Sequence, residues 1–336
     1  MASGRMEFHA DTVMQHANFA FVLPNDVYEP EIKDRRHYAR PTKSLILLHG
    51  LTGTDTDWLF GGVAQEMAIQ YNLAVFMPTA GNNFYLDRGY AGGNWASFVG
   101  EELPAYIRKT FGYCQSREDT LIGGLSMGGF GALHTALRYP ETFSACIALS
   151  SALVLHEVAE TGRRENSIMP EAMVRDVFGD PKTLLGSERD PEFLYRSGKA
   201  AGKTMPRIYM AVGTEDGLCG VNRDFRRFLE EQGADLCYEE GPGVHDWVFW
   251  NAYIDRGLAW VLRDDGHTAA QPEETGKKLS EMTNRELFCV LTGDRDVLRQ
   301  ARLQNMILAY RKKHPERVGE GEMDLAAIVA EMSAEA

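Results

Sequence analysis

A chain of 336 residues, 44% hydrophobic and 25% charged, has an ordinary globular composition and is long enough for one large domain or two small ones. Its net charge of −13 argues against a nucleic-acid partner, whose phosphates would be repelled. No apolar run reaches the ~20 residues of a membrane span, the N-terminal "MASGRMEFHADTV" lacks the apolar core of a signal peptide, and the five cysteines (Cys114, Cys146, Cys219, Cys237, Cys289) include no CxxC pair. A cytoplasmic protein is expected, with no disulfide framework, no metal site and no cofactor.

Residues 18–24 (NFAFVLP) read as an early strand, and 43–50 (KSLILLHG) as a short apolar strand of the fully buried type. Helical spacing follows over 57–72, then a second buried strand over 73–78 (LAVFMP). Across 95–111, Phe98, Leu103, Tyr106, Ile107 and Phe111 recur at mostly helical intervals. Pro104 is tolerable there in the first turn of a helix starting near Glu101. The run 120–125 (TLIGGL) is a strand and 127–140 a helix, while 143–151 and 207–214 are two more β-rich runs. A strand-like stretch, ADLCYEE, then leads through a Gly-Pro-Gly loop to an aromatic helix. This alternation predicts an α/β fold, with a mostly parallel central sheet flanked by helices on both faces.

Two regions break the rhythm. Residues 151–206 are short-patterned, charged and irregular, with Asp-Pro steps at Asp180–Pro181 and Asp190–Pro191, and are expected to form an insertion or lid over the active end. After a catalytic domain over 1–264, residues 265–277 read as a polar linker and 278–336 as a helical appendix. Thr283 and Glu286 form a capping-box signature, and Leu298, Leu303, Met306, Ile307 and Tyr310 mark one face of a following helix. Helices this short need a surface to bury their apolar stripe. A homodimer contact through the C-terminal helices is expected, with docking on the chain's own domain as the alternative.

The chemistry centres on Ser126. Gly124-Leu125-Ser126-Met127-Gly128 matches G-x-S-x-G, between a predicted strand and a predicted helix, which is the context of a nucleophile elbow. Side chains at either flanking glycine would collide with neighbouring backbone. A serine needs a base to take its proton, and in α/β hydrolases the order along the chain is serine, acid, histidine. His9, His16, His37 and His49 precede the serine, and His134 lies two turns along the elbow helix. His156 falls in the insertion, and His267 and His314 in the linker and appendix. His245 remains, on the loop after the last strand. The acid belongs on the loop after the preceding strand, which offers both Glu215 and Asp216. Asp246 adjoins the histidine too closely to orient its ring and is expected to cap the final helix. Two backbone N–H groups must meet the developing oxyanion. Met127, which follows the serine, supplies one. Leu51, in the run His49-Gly50-Leu51-Thr52-Gly53, is the candidate for the other.

The blocks LLHGLTGTDTDWL, GGLSMGGFGALHTAL, VGTEDGL with NRDFRRFLEEQG, and YEEGPGVHDWVFW resemble the esterase D-like esterases over residues 7–262. That superfamily includes tributyrin and acetyl esterases, feruloyl esterases, S-formylglutathione hydrolase and the mycolyltransferases, and the resemblance is strongest to the tributyrin/acetyl esterase branch. It implies an α/β-hydrolase fold and a serine carboxylesterase acting on short acyl esters, acetyl to butyryl. It also implies that the GTED block supplies Asp216 as the triad acid. Feruloyl esters or a glutathione thioester are the alternatives, ahead of acyl transfer or a non-catalytic binding role. Trp58, Trp95, Phe130 and Trp247 are candidates for the substrate pocket, and Leu153, Val154 and Leu155 for a lid wall.

Overall fold

The computed structural model describes residues 1–28, 32, 35–164 and 168–264. The expected linker and appendix, with their capping box and apolar face, lie outside the described residues. Eight strands form one sheet: β1 (Ala2–Ala10), β2 (Gln15–Leu23), β3 (Lys43–Leu48), β4 (Leu73–Pro78), β5 (Thr120–Leu125), β6 (Ala145–Leu149), β7 (Arg207–Gly213) and β8 (Leu236–Gly241). Their order across the sheet is β1-β2-β4-β3-β5-β6-β7-β8. β1 and β2 pair antiparallel, as do β2 and β4, and every pairing from β4 to β8 is parallel.

The apolar runs of β3, β4 and β5 are almost wholly buried because helices cover both faces. Alternation divides their side chains between two cores. Ile46, Leu48, Phe76 and Ile122 enter one, and Leu45, Leu47, Val75 and Leu121 enter the other. β1 has no counterpart in the sequence reading. It is an edge strand in which Phe8 and Ala10 alone are buried, so it carries too little apolar signal to stand out.

Three expected elements differ in detail. The helix over 57–72 is two, Asp57–Phe60 and Ala64–Tyr71, parted at Gly61 and Gly62. Gly61 lies against the Trp247 indole so closely that a Cβ would sit 2.6 Å from its ring, so the break gives the last helix its seat. The helix over 95–111 begins at Trp95 rather than near Glu101, and a π-helical turn, Phe98–Glu102, precedes Leu103–Phe111. Pro104 is at the start of that last segment, where the wider turn interrupts the hydrogen-bond ladder that the missing N–H would break. The insertion is not irregular. It holds helices Leu155–Thr161, Glu171–Phe178, Pro181–Leu184 and Pro191–Ala200. Its two Asp-Pro steps are helix starts: Asp180 accepts from the Lys182 N–H at 3.0 Å and Asp190 from the Glu192 N–H at 2.9 Å, each with proline in the first turn.

Candidate active site

The carboxyl ends of β5, β7 and β8 bring the chemical groups together. Ser126 follows β5 with φ 56° and ψ −119°, a strained conformation for a non-glycine residue, and the helix Met127–Arg138 starts at once. A Cβ at Gly124 would meet the Gly128 carbonyl, and one at Gly128 would meet the carbonyls of Leu48 and His49. Both glycines of the motif are therefore dictated by the close approach of backbone. The serine's own backbone is clamped by the end of β6, its N–H donating to the Leu149 carbonyl at 2.8 Å and its carbonyl accepting from the Ala152 N–H at 3.0 Å.

His245 stands on the loop after β8, with Nε2 2.9 Å from Ser126 Oγ and Nδ1 2.8 Å from Asp216 Oδ2. An ionised carboxylate only accepts, so Nδ1 carries the proton, and Nε2 is left to accept from the serine hydroxyl. The Asp216 side chain is 1% exposed. Burial alone would raise its pKa. The hydrogen bonds from His245 and the Leu218 N–H, with the His245 charge, outweigh that and hold the carboxyl below its ordinary value.

The neighbouring acid does something else. Glu215 is exposed, and its Oε2 accepts from the Gly243 N–H at 2.7 Å and from Thr214 Oγ1 at 2.8 Å. The Gly243 bond, then the Thr214 bond, lower its pKa. Two adjacent carboxylates thus act on one loop: Asp216 bonds the imidazole, and Glu215 holds the backbone two residues ahead of it. Asp246 accepts from the Phe249 N–H at 3.0 Å and caps the helix Trp247–Val261.

Leu51 and Met127 line the same cleft as Ser126 and His245. His49, which chain order removes from the candidate bases, braces the Leu51 loop. Its Nε2 accepts from the Ala80 N–H at 2.9 Å, so Nδ1 must carry the proton and donate to the Gly50 carbonyl at 2.7 Å. Burial pushes its pKa down and favours this neutral form.

The cleft encloses about 920 Å³. Of the four aromatic pocket candidates Trp247 lines it, while Trp58, Trp95 and Phe130 are packed in the core. Trp58 turns its Nε1 inward to the Leu48 carbonyl at 3.0 Å, Trp95 meets Phe98 edge-on, and Phe130 stacks on His134. Val154 reaches the cleft, but Leu153 and Leu155 are buried in the core. Sequence reasoning missed Trp250, Phe84, Ile168 and Met169, all of which line the cleft. Trp250 was detectable as the i+3 neighbour of Trp247 on one helix face. Among the described residues, no group of three or more His, Cys, Asp or Glu side chains is placed to hold a metal, and no helix is long and apolar enough to cross a membrane.

A mostly parallel sheet with a serine on a strained turn between central strand and helix defines an enzyme of the α/β-hydrolase type. The family model described as "Putative esterase" matches residues 12–261, and the chain belongs to that family. It is 40% identical over 265 residues to an acetyl esterase of Caldicellulosiruptor saccharolyticus, a match covering 78% of this chain and 99% of that one. Among solved structures it resembles fluorophosphonate-binding serine hydrolase F of Staphylococcus aureus, with a TM-score of 0.66 and 27% identity over 78% of this chain and 99% of that one. It also resembles an S-formylglutathione hydrolase of the same organism, with a TM-score of 0.65 and 26% identity over 78% and 98% of the two chains. The protein is a carboxylic ester hydrolase.

Proposed function

We propose that the protein hydrolyses short-chain acyl esters, acetyl to butyryl, through Ser126, His245 and Asp216 and a covalent acyl-enzyme. The observation that carries this reading is the unbroken hydrogen-bonded line from Ser126 Oγ through His245 to Asp216 at the floor of the cleft. Ser126 Oγ attacks the ester carbonyl carbon while His245 Nε2 takes its proton, and Asp216 stabilises the imidazolium so formed. The carbonyl oxygen becomes the oxyanion and is met by the Leu51 and Met127 N–H groups. The carbon–oxygen bond to the alcohol then breaks, and His245 gives the departing oxygen its proton. Water repeats the sequence on the acyl-enzyme, releasing the acid and restoring Ser126.

The acetyl esterase relative supports the short acyl chain. A thioesterase acting on S-formylglutathione is the second reading, favoured by the likeness to the staphylococcal hydrolase. The charge of the cleft favours the first. Among the described lining residues the one Lys or Arg is Arg164, and Glu157 engages it at 2.5 Å. A glutathione carboxylate would find that cation already paired. A panel of acetyl, butyryl, octanoyl, feruloyl and S-formylglutathione substrates tests the proposal. The expected order puts acetyl and butyryl esters first, and rates that rise steadily into long acyl chains would overturn it. Fluorophosphonate labelling of the wild type and loss of the label in Ser126→Ala tests the nucleophile.

A further inference from the structure

The stretch that ends β6 touches more of the site than its own chemistry explains. Leu149 and Ala152 clamp the backbone of Ser126 from both sides. Between them sits Ser150, fully buried, with φ 44° and its N–H donating to the Ala211 carbonyl of β7 at 2.8 Å. That uncommon backbone conformation, in a residue that is not glycine, marks a side chain whose direction is set.

What the side chain meets is Trp250. The indole Nε1–H donates to Ser150 Oγ at 3.1 Å inside the core. The same indole stands perpendicular to the His245 imidazole, with ring centroids 5.0 Å apart and planes at 90°. The indole also meets Trp247 at 5.3 Å and 84°, and Trp247 meets Trp58 at 5.1 Å and 89°. Edge-to-face contacts of this kind are directional, so a ring pinned at one end fixes the orientation of the next. An indole offers one hydrogen-bond donor, and here it is spent on Ser150.

We propose that Ser150 is a positioning residue for ester hydrolysis, acting through the Trp250 indole on the His245 imidazole. Because the neighbouring residues hold Ser126, one short stretch then references the nucleophile and the base to each other. Ser150 touches neither substrate nor reacting atoms. Its effect lies in the near-attack geometry of Ser126 and His245, where a small misplacement costs rate rather than binding. This rests on Ser126, His245 and Asp216 being the catalytic groups.

The test is a double-mutant cycle on the full chain with Ser150→Ala, Trp250→Phe and both together. Rates on an acetyl ester are expressed per active site titrated with a fluorophosphonate, which removes any misfolded fraction from the comparison. Trp250→Phe keeps an aromatic ring against His245 and removes the indole N–H. Each single variant is expected to lower kcat about tenfold with KM within about twofold of wild type, and the double variant to be no worse than the poorer single. Three results would overturn the proposal: unchanged kcat per titrated site in Ser150→Ala, a change confined to KM, or single losses that multiply in the double variant. Ser126→Ala is measured in parallel. If it retained turnover, the assignment of the nucleophile would fail, and that failure is separate from any outcome of the cycle.

Discussion

His134 should make the stability of this enzyme sensitive to mild acid. It lies on the helix Met127–Arg138, fully buried, with its ring stacked on Phe130 at 5.9 Å. Nε2 is 2.8 Å from the Glu188 carbonyl and must donate to it, while the buried Nδ1 has no partner among the described residues. Burial is the main cause that lowers its pKa to about 4. The Glu188 bond opposes that shift, and Arg138 adds to it. An unfolded histidine binds its proton near pH ~6.5, so between the two values the unfolded chain holds more protons than the folded one. Stability therefore falls as pH drops from about 6.5, and the loss is complete near 4. The gap amounts to about 3 kcal/mol at ~1.4 kcal/mol per pH unit, of which about 2 kcal/mol is gone by pH 5. His134→Gln keeps a donor for the Glu188 carbonyl and cannot titrate. Urea unfolding followed by tryptophan fluorescence at pH 7.5 and pH 5 should show the wild type losing about 2 kcal/mol more than the variant over that interval. An equal loss in both proteins would refute the reasoning and leave other groups, His49 among them, to account for the acid sensitivity.

Further expectations concern the site and the chain beyond it. Ser126→Ala and His245→Ala should each lower turnover on the order of 10⁶-fold without unfolding the protein; circular dichroism with a steady-state ester assay checks both, and more than a tenth of wild-type turnover in His245→Ala would call for a different base. Asp216→Asn should cost on the order of 10⁴ in turnover by presenting an amide N–H to Nδ1 and stabilising the wrong tautomer. Glu215→Gln, which keeps an acceptor for the Gly243 N–H, should stay near wild type, and the reverse ranking would give the acid role to Glu215. Truncation after Asp264 tests the proposed homodimer contact through residues 278–336: light scattering should report a smaller species with ester turnover retained, and an unchanged oligomeric state would end the proposal.

The candidate site was legible in sequence wherever a residue type and a position were forced together. Ser126 stood out because Gly124 and Gly128 cannot carry side chains, which leaves a pattern that chance seldom places between a strand and a helix. His245 followed from chain order. The parallel sheet was readable for a similar reason, since β3, β4 and β5, covered on both faces, are nearly continuous apolar runs. β1 escaped because an edge strand needs few apolar residues, and the helices of the insertion escaped because Asp-Pro marks a turn or a helix start with equal ease.

Direction in space is what a one-dimensional pattern leaves open, and the cleft is where that matters most. Trp58, Trp95, Phe130 and Trp247 all lie near strand ends by sequence position, yet three of the four point into the core. An aromatic ring satisfies the burial demand equally well on either side of a helix. Glu215 and Asp216 pose the same problem one residue apart. Both are carboxylates on the loop after β7, and composition ranks neither above the other. What separates them is the path of a loop 27 residues later. Gly243 brings its N–H to Glu215, and that contact leaves His245 over Asp216. Which of the two carboxylates the imidazole meets is thus set by which one the arriving backbone occupies. A change at Gly243 that displaced its N–H should therefore disturb the His245–Asp216 pair without touching either residue.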